Sequence, residues 1–432
     1  MLFADGVAIL ADDLTGANDT ALQFHLKGCS TQILMNFNVM PKTLAHTHVW
    51  AVSTESRNMD SEDAKQAAKE ATSSILKNLN VEHIYKKIDS TLRGNIAPEI
   101  IGVLEASDYE AAVIIPAFPN ENRITVGGYH LVKGVPIERT EFARDPIAPI
   151  YESHIPTVLR NSLDLEEKNL VALIELNTVK QGAGPILTKI NELISSGKKL
   201  IVCDSVSSVD IEQVILAIQK CNTKILVCGS AGAAQALCDT IFPEAKYHRI
   251  SKSIPELPKL IVSGSASELA ATQISRLESD EDIENMYFIE ITPEQILGSE
   301  RDDIIERALR NLNHSNTVVI HTSSLFQNPD AMTVMLFEKE ISRDSFISMI
   351  CDYLAEITQI IMSQRDTILI TVGGETSYKC LEALHSDCLQ IIDSVAPSIP
   401  LCCDLDARFV VTKSGNLGTT NTLVEVLKYF EK

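Results

Sequence analysis

VAILADDLTGANDTALQFHLKG (7–28) decides the fold class. Val7 to Ala11 form an apolar run of strand length. Two carboxylates follow, then a turn at Gly16, then a stretch patterned as a helix. A strand that feeds a helix through a polar turn is half of a parallel crossover unit. The same order recurs along the chain. HVWAVST (48–54) precedes SEDAKQAAKEATSSILKNL (61–79), where Ser61 and Asp63 are cap candidates. AAVIIPA (111–117), KLIVCD (199–204), KILVCG (224–229), KLIVSG (259–264), TVVIHTS (317–323), TILITVG (367–373) and RFVVTKSG (408–415) read as further buried strands. Strands rich in Val and Ile that alternate with helices imply an α/β protein of mainly parallel sheets flanked by helices.

The clearest boundary is SKSIPELPKL (251–260), where Pro255 and Pro258 separate a helix-like segment from a new strand. Proline removes a backbone donor and disfavours helix before it, so this stretch reads as a linker. Two domains are expected, at 1–250 and 258–432. The segment GGYHLVKGVPIERTEFARDPIAPIYESHIP (127–156) carries four prolines and reads as irregular. It is longer than a simple connection, and such loops are often functional.

The 432 residues are 45% hydrophobic and 22% charged, an ordinary globular balance. Against 37 Lys and Arg stand 58 Asp and Glu, a net charge of −21. A field of that sign repels phosphate backbones, which argues against general nucleic-acid binding. It also means that an anionic substrate needs a locally basic pocket. The ten cysteines form no C-x-x-C pair and mostly sit in apolar runs, as in a reducing compartment. The N-terminal stretch lacks a basic n-region, and no uninterrupted apolar run is long enough to cross a bilayer. A soluble cytoplasmic protein without membrane or nucleic-acid partners is expected. An acidic enzyme of this size is often a homodimer.

Four groups of residues could carry chemistry. Asp12 and Asp13 in ADDLTGAND (11–19) follow a strand, where open α/β sheets bind ligands. They could accept hydrogen bonds from a polyol or hold a cation. With Asn18 and Asp19 they could equally cap the next helix. Adjacent Asp side chains diverge, so one of the two is expected to face a ligand. YKKIDSTLRGN (85–95) gathers Lys86, Lys87 and Arg93 around Asp89, Ser90 and Thr91, a donor set suited to carboxylate or phosphate. An internally paired Asp–Arg turn is the alternative. TESR (54–57) adds Arg57, which could fork onto a carboxylate. PAFPNENRITVGGYHLV (116–132) carries Arg123 in a polar turn, with His130 beside Gly127 and Gly128. A rigid loop with no chemistry would have the same pattern.

The fourth group is a set of strand–turn–helix joints in the second half: VSGSASELAATQI (262–274), TVGGETSYKCLEAL (371–384) and TKSGNLGTTNTLVEVL (412–427). Free amides at such turns, aligned with a helix dipole, bind anions. Three of them point to a nucleotide polyphosphate. G-x-x-x-x-G-K-[ST] and G-x-G-x-x-G are both absent, which disfavours a P-loop and a dinucleotide fold. The histidines lack metal-ligand spacing. Trp50, Tyr85 and Phe118 read as core.

ADDLTGANDT, TESR, KKIDSTLRGN, PAFP with R-x-T-x-x-G, SGSAS, GGETSY and KSGNLG occur in that order over essentially the whole chain. Jointly they resemble the four-carbon acid sugar kinase family, which includes D-threonate, D-erythronate and 3-oxo-tetronate kinases. The resemblance implies an N-terminal sugar-acid domain, a C-terminal nucleotide domain and a reaction in the cleft between them. It implies phosphorylation by ATP, with Mg²⁺, of the terminal C4 hydroxyl of a four-carbon sugar acid. It places the acid at Asp12, Arg57, Lys87, Ile88, Asp89 and Ser90. It places ATP at Ser265, Gly373, Gly374, Glu375, Thr376 and Gly418. Within that frame Arg57 and Lys87 are expected to hold the carboxylate, Asp12 and Ser90 to orient hydroxyls, and Asp89 to accept the proton, with Asp12 second. The metal ligands are left open. Three departures from the family pattern stand out: Asn122 precedes Arg123 where glycine is common, Leu417 replaces an aromatic, and Ser398 replaces the glycine of P-G-I-P.

Overall fold

The computed structural model describes residues 6–37, 47–144, 148–241, 254–280, 283, 285–298, 300–314, 317–326 and 329–431. The chain forms two units, Met1–His248 and Arg249–Lys432. Of the segment read as a linker, residues 251–253 lie outside the described residues.

In the first unit the strands are β1 (Gly6–Ala11), β2 (Thr31–Leu34), β3 (Val49–Ser53), β4 (Val81–Lys87), β5 (Ala111–Ile115), β6 (Arg123–Val126), β7 (Tyr129–Val132), β8 (Val135–Pro136), β9 (Val171–Ile174), β10 (Leu200–Cys203) and β11 (Ile225–Gly229). Eight of them form a parallel sheet in the order β2-β3-β1-β4-β11-β5-β10-β9. Because both faces are covered, β3 and β5 are buried throughout and β1 from Val7 onward, and all three are mostly apolar. Chain order reverses around β1, which lies between β3 and β4. The carboxyl ends of these three strands therefore open at a topological switch point, where doubly wound sheets take their ligands. Ala11 pairs with Ser53, and Leu10 with Lys86, so the residues that follow each strand emerge side by side.

The stretch 127–156 is more ordered than its prolines suggest. With Arg123–Val126 it builds a three-stranded antiparallel sheet, β6-β7-β8. Asp204, after β10, clamps its turn by accepting from Gly127 N at 2.6 Å and Gly128 N at 2.9 Å. Asn122, before β6, has φ 55 and ψ 36. Asparagine is the residue after glycine that best tolerates this left-handed conformation, so the departure from the family pattern keeps the loop shape.

The second unit contains β12 (Lys259–Ser263), β13 (Met286–Glu290), β14 (Thr317–His321), β15 (Ile368–Val372), β16 (Cys388–Ala396), β17 (Ile399–Asp404) and β18 (Phe409–Lys413), in the order β13-β14-β12-β15-β18-β17-β16. Five are parallel, and β16 and β17 are antiparallel. The β16–β17 hairpin turns at Ser398, whose φ of 60 again occupies a conformation that favours glycine. Leu417 is partly buried against the core of this unit, where it takes the place of the aromatic. Among the described residues one helix, Arg343–Gln364, is long and apolar enough to cross a membrane by length and composition, although its sequence holds no uninterrupted apolar run of that length. Phe346, Ile350, Leu354, Ile357 and Ile361 are fully buried within the protein, as in a core helix. All ten cysteines are free thiols, and nine are buried.

Candidate active site

Three strand ends of the first unit bring together Asp12 and Asp13 after β1, Arg57 after β3, and Lys87 to Arg93 at the end of β4. The arrangement begins with Arg57. Its Nε and Nη2 donate to Asp12 at 2.7 and 3.1 Å, and its Nη1 and Nη2 donate to Asp13 at 2.8 and 2.7 Å. The adjacent Asp side chains, expected to diverge, face one guanidinium. Asp13 also caps helix Leu14–His25, accepting from Gly16 N at 3.0 Å and from Thr15 Oγ1 at 2.6 Å. Burial alone would push the Asp12 carboxyl up. Arg57, Lys86 and Lys87 together outweigh that and hold it below the ordinary range.

Lys86 and Lys87 are neighbours on a strand and so point to opposite faces. Lys86 is wholly buried and pairs with Glu99 at 2.7 Å. It belongs to the scaffold. Lys87 reaches the helix after β1, where its Nζ lies 3.9 Å from Asp19 Oδ1. Gly16 makes room for it, since a Cβ there would lie 2.8 Å from that ammonium. Ile88 buries its side chain and donates its amide to Gly229 O at 2.9 Å, which ties the site to β11. Asp89 accepts from Thr91 Oγ1 and from Arg93 Nε at 2.7 Å. For Asp89 the internally paired turn is therefore what forms. Burial works to raise its carboxyl, but Arg93, Arg57 and Lys87 hold it well below the usual range. Asp19 behaves oppositely: burial pushes it up to about 6, and Lys87 offsets only part of this.

Two residues of the β6–β7 hairpin complete the cluster. Arg123 donates from Nη1 to the Ser90 hydroxyl. His130 is fully buried, with Nε2 2.8 Å from the Ser90 carbonyl and Nδ1 3.2 Å from Thr125 Oγ1. A carbonyl only accepts, so Nε2 carries the proton and Nδ1 accepts from the threonine. The ring is neutral, and burial pushes its pKa down to about 4. Below the ordinary value of 6.5 an unfolded histidine takes up a proton that this ring refuses. The native state should thus lose stability as pH falls from 6.5 towards 4. His130→Gln is expected to flatten the dependence of Tm on pH across that window. An unchanged slope would show that His130 is not the responsible group.

In the second unit the three glycine turns converge. A Cβ on Gly415 would fall 2.0 Å from Ser265 Oγ, and one on Gly264 would fall 2.6 Å from Thr376 Oγ1. Gly373 has φ 117 and lies against Thr376 and Ser265. Its amide donates to Lys413 O at 2.8 Å. Among the described residues Gly373, at the N-cap of helix Gly374–Ala383, makes no side-chain cap hydrogen bond, and the helix begins beside Ser265. Ser267 caps helix Glu268–Glu278 and reaches Asn416 and the Gly415 carbonyl. Gly418 turns the chain at φ 89 beside Thr422. The buried Lys413 has its Nζ on the Ser414 carbonyl at 2.7 Å, and burial pushes its pKa down to about 7. Among the described residues no group of three or more His, Cys, Asp or Glu is placed to hold a metal ion.

Sequence reasoning missed Asp19 as more than a cap and left Arg123 undecided. Asp19 stands three residues after Gly16, on the helix face that meets Lys87, and that spacing was the available signal.

Two family models match the chain. Residues 7–237 match the family model of a sugar-binding N-terminal domain, and residues 260–423 that of a nucleotide-binding C-terminal domain. A D-threonate kinase of Salmonella typhimurium is 30% identical over 98% of each chain. A D-erythronate kinase of Heliobacterium modesticaldum is 28% identical over 98% of this chain and 96% of its own. A 3-oxo-tetronate kinase of Cupriavidus necator is 25% identical over 97% and 96%. Among solved structures, a Salmonella typhimurium protein (20% identical, 98% of each chain, TM-score 0.78) and a Haemophilus influenzae protein (22% identical, 98% of this chain and 100% of that one, TM-score 0.72) share the fold.

Proposed function

The chain belongs to the four-carbon acid sugar kinase family, and we propose that it transfers the γ-phosphoryl group of ATP to the C4 hydroxyl of D-threonate. D-Erythronate is the nearest competing substrate, being the substrate named for a relative of similar identity. The observation that carries the reading is the cluster at the ends of β1, β3 and β4. It concentrates Lys87, Arg57, Arg93 and Arg123 around ordered carboxylates and the Ser90 hydroxyl, in a chain of net charge −21. The cluster offers cationic donors for a small acid inside an acidic protein, beside carboxylates that could accept from its hydroxyls.

Phosphoryl transfer needs alignment, charge neutralisation and a route for the hydroxyl proton. In this proposal the acid lies against Asp12, Arg57, Lys87, Ile88, Asp89 and Ser90. Arg57 acts mainly by fixing Asp12 and Asp13, whose remaining lone pairs accept from substrate hydroxyls. Asp89 and Asp12, expected from the sequence to take the proton, are both held ionised by arginines and are poor bases. Asp19 takes that role, with Lys87 beside it. ATP lies at Ser265, Gly373, Gly374, Glu375, Thr376 and Gly418, its phosphates on the free amides of the helix start. Mg²⁺ supplies charge neutralisation on the triphosphate. Glu375 would help to hold it: burial pushes this carboxyl up, and a cation beside it would restore the ionised form.

The test is ADP release from Mg·ATP with a panel of four-carbon acids, with the phosphorylated carbon located by NMR. D-Threonate should exceed D-erythronate in kcat/KM by about tenfold or more, as expected where one stereocentre changes the hydrogen bonding of a hydroxyl. If no four-carbon acid raises ADP release above the rate with ATP alone, the reading is wrong.

A further inference from the structure

We propose that Arg123 is the side chain that takes the carboxylate of the acid substrate, a role expected from the sequence for Arg57 and Lys87. The inference rests on the kinase reading above and names the group that makes the site select an acid. Three arginines stand in the cluster, and two are already matched. Arg57 has all three guanidinium nitrogens on Asp12 and Asp13. Arg93 has Nε and Nη2 on Asp89. Arg123, among the described residues, has no carboxylate partner. Among the described residues its one side-chain hydrogen bond runs from Nη1 to the Ser90 hydroxyl, and its guanidinium stands 6.0 Å from the centre of the Phe142 ring. Its Nε is buried without an acceptor.

A buried guanidinium donor with no acceptor is unfavourable, and native structures rarely leave one without a reason. Here the surroundings supply the reason. The planar fork of arginine matches a carboxylate through two parallel hydrogen bonds, and Nε with a terminal nitrogen forms one side of that fork. The backbone beneath it is fixed, since Arg123 N donates to Phe118 O at 3.1 Å and Arg123 O accepts from Phe118 N at 2.8 Å. The left-handed Asn122 aims the strand, Asp204 clamps the far turn, and His130 holds the Ser90 carbonyl. The guanidinium is thus set in place before any ligand arrives, which lowers the ordering cost of binding. The neighbouring charges choose the kind of anion. Asp89, Glu121 and Asp19 are near enough to act on Arg123 electrostatically, with Arg93 acting against them. Of these, Asp89 and Asp19 would disfavour a triphosphate more than a single carboxylate. They are also placed to accept from hydroxyls of the same molecule.

The experiment uses the full chain and two variants, Arg123→Gln and Arg123→Lys, with thermal melting as the check on folding. Arg123→Gln is expected to raise KM for D-threonate by about 100-fold, the range of a lost charged hydrogen-bond pair, with KM for ATP unchanged. Arg123→Lys keeps the charge without the fork and should recover about a tenth of that loss in binding. If Arg123→Gln does not fold, the lysine variant carries the test. The uncharged tetritol with the same hydroxyls separates binding from support. Both proteins should phosphorylate it equally poorly. An Arg123→Gln variant within twofold of the parent on D-threonate, or one impaired equally on tetritol and acid, overturns the assignment. Calorimetry without ATP keeps the two levels apart. A parent protein that binds D-threonate but does not phosphorylate it sinks the kinase reading, while the Arg123 variants still test the anchor. Equal binding of D-threonate by parent and Arg123→Gln sinks the anchor alone.

Discussion

Asp19→Asn is expected to lower kcat on the preferred acid by about 10²–10⁴-fold, the usual contribution of a positioned base, and to leave the KM for ATP in place. In the proposed reaction the attacking hydroxyl must lose its proton, and Asp12, Asp89 and Asp19 are the carboxylates weighed for that role. Asp12 and Asp89 are held below the ordinary range, Asp12 chiefly by Arg57 and Asp89 chiefly by Arg93. Ionised and hydrogen-bonded, they orient well and accept protons badly. Among the described residues Asp19 has no arginine partner, and burial pushes it up to about 6, close to a working pH. Its side chain is still 24% exposed, so a proton taken there can leave. Below about 6 the carboxyl is protonated and cannot act as a base. The parent should therefore show an acidic limb in kcat/KM with a midpoint near 6, and the variant should lack it. Stability should move the other way. A carboxyl raised from 3.8 to about 6 on folding binds more protons in the native state, so its ionisation weakens the fold as pH rises through that window. Asp19→Asn should then melt no lower than the parent at neutral pH. A residue that helps the reaction at some expense to the fold behaves in this way. If Asp19→Asn keeps near-parental turnover while Asp89→Asn loses it, the base is Asp89 after all.

Most of the parallel strands were legible because burial on both faces leaves a continuous apolar run, as in Val7 to Ala11 and Ala111 to Ile115, but β2, β9 and β13 were not among those read. The β16–β17 hairpin was not legible. CLQIIDSVAPSIPLCCD contains prolines, and its turn uses Ser398 where a glycine or asparagine would have announced it. The β6–β8 sheet was hidden for a related reason, since Gly127, Gly128, Gly134 and Pro136 look like loop residues until Asp204 clamps them. At the site, the residue types were readable but the pairing was not. Which cation meets which anion depends on side chains brought together by the sheet, as Arg57 meets Asp12 across 45 positions. Local sequence can show that Lys86 and Lys87 diverge. It cannot show that Glu99 neutralises the first while the second faces Asp19.

The same pairing sets up the largest expected effect on stability. Arg57→Ala removes the only guanidinium that touches Asp12 and Asp13, among the described residues, and both aspartates are buried. Breaking a buried pair strands the remaining charge, and the loss is about 3–5 kcal/mol for one such partner. Two adjacent carboxylates would be stranded here, so activity should vanish together with the local fold. The dependence on pH should also invert. In the parent, Asp12 is held below its ordinary value of 3.8, so its contribution is complete above that value and fades only in stronger acid. Without Arg57 the burial that now works against Asp12 is opposed only by Lys86 and Lys87, and the carboxyl rises. Urea denaturation should then show the variant gaining stability as pH is lowered from 7 to 5, where the parent does not. Adding Asp12→Asn to Arg57→Ala should recover part of the loss, because a neutral amide in that place no longer needs a counter-charge. A loss below about 1 kcal/mol, the level of an exposed pair, would mean that the four-bond fork does not persist in solution. Arg57 would then be free to bind a ligand carboxylate, as the motif alone implied, and Arg123 would lose its distinction as the one unmatched arginine of the cluster.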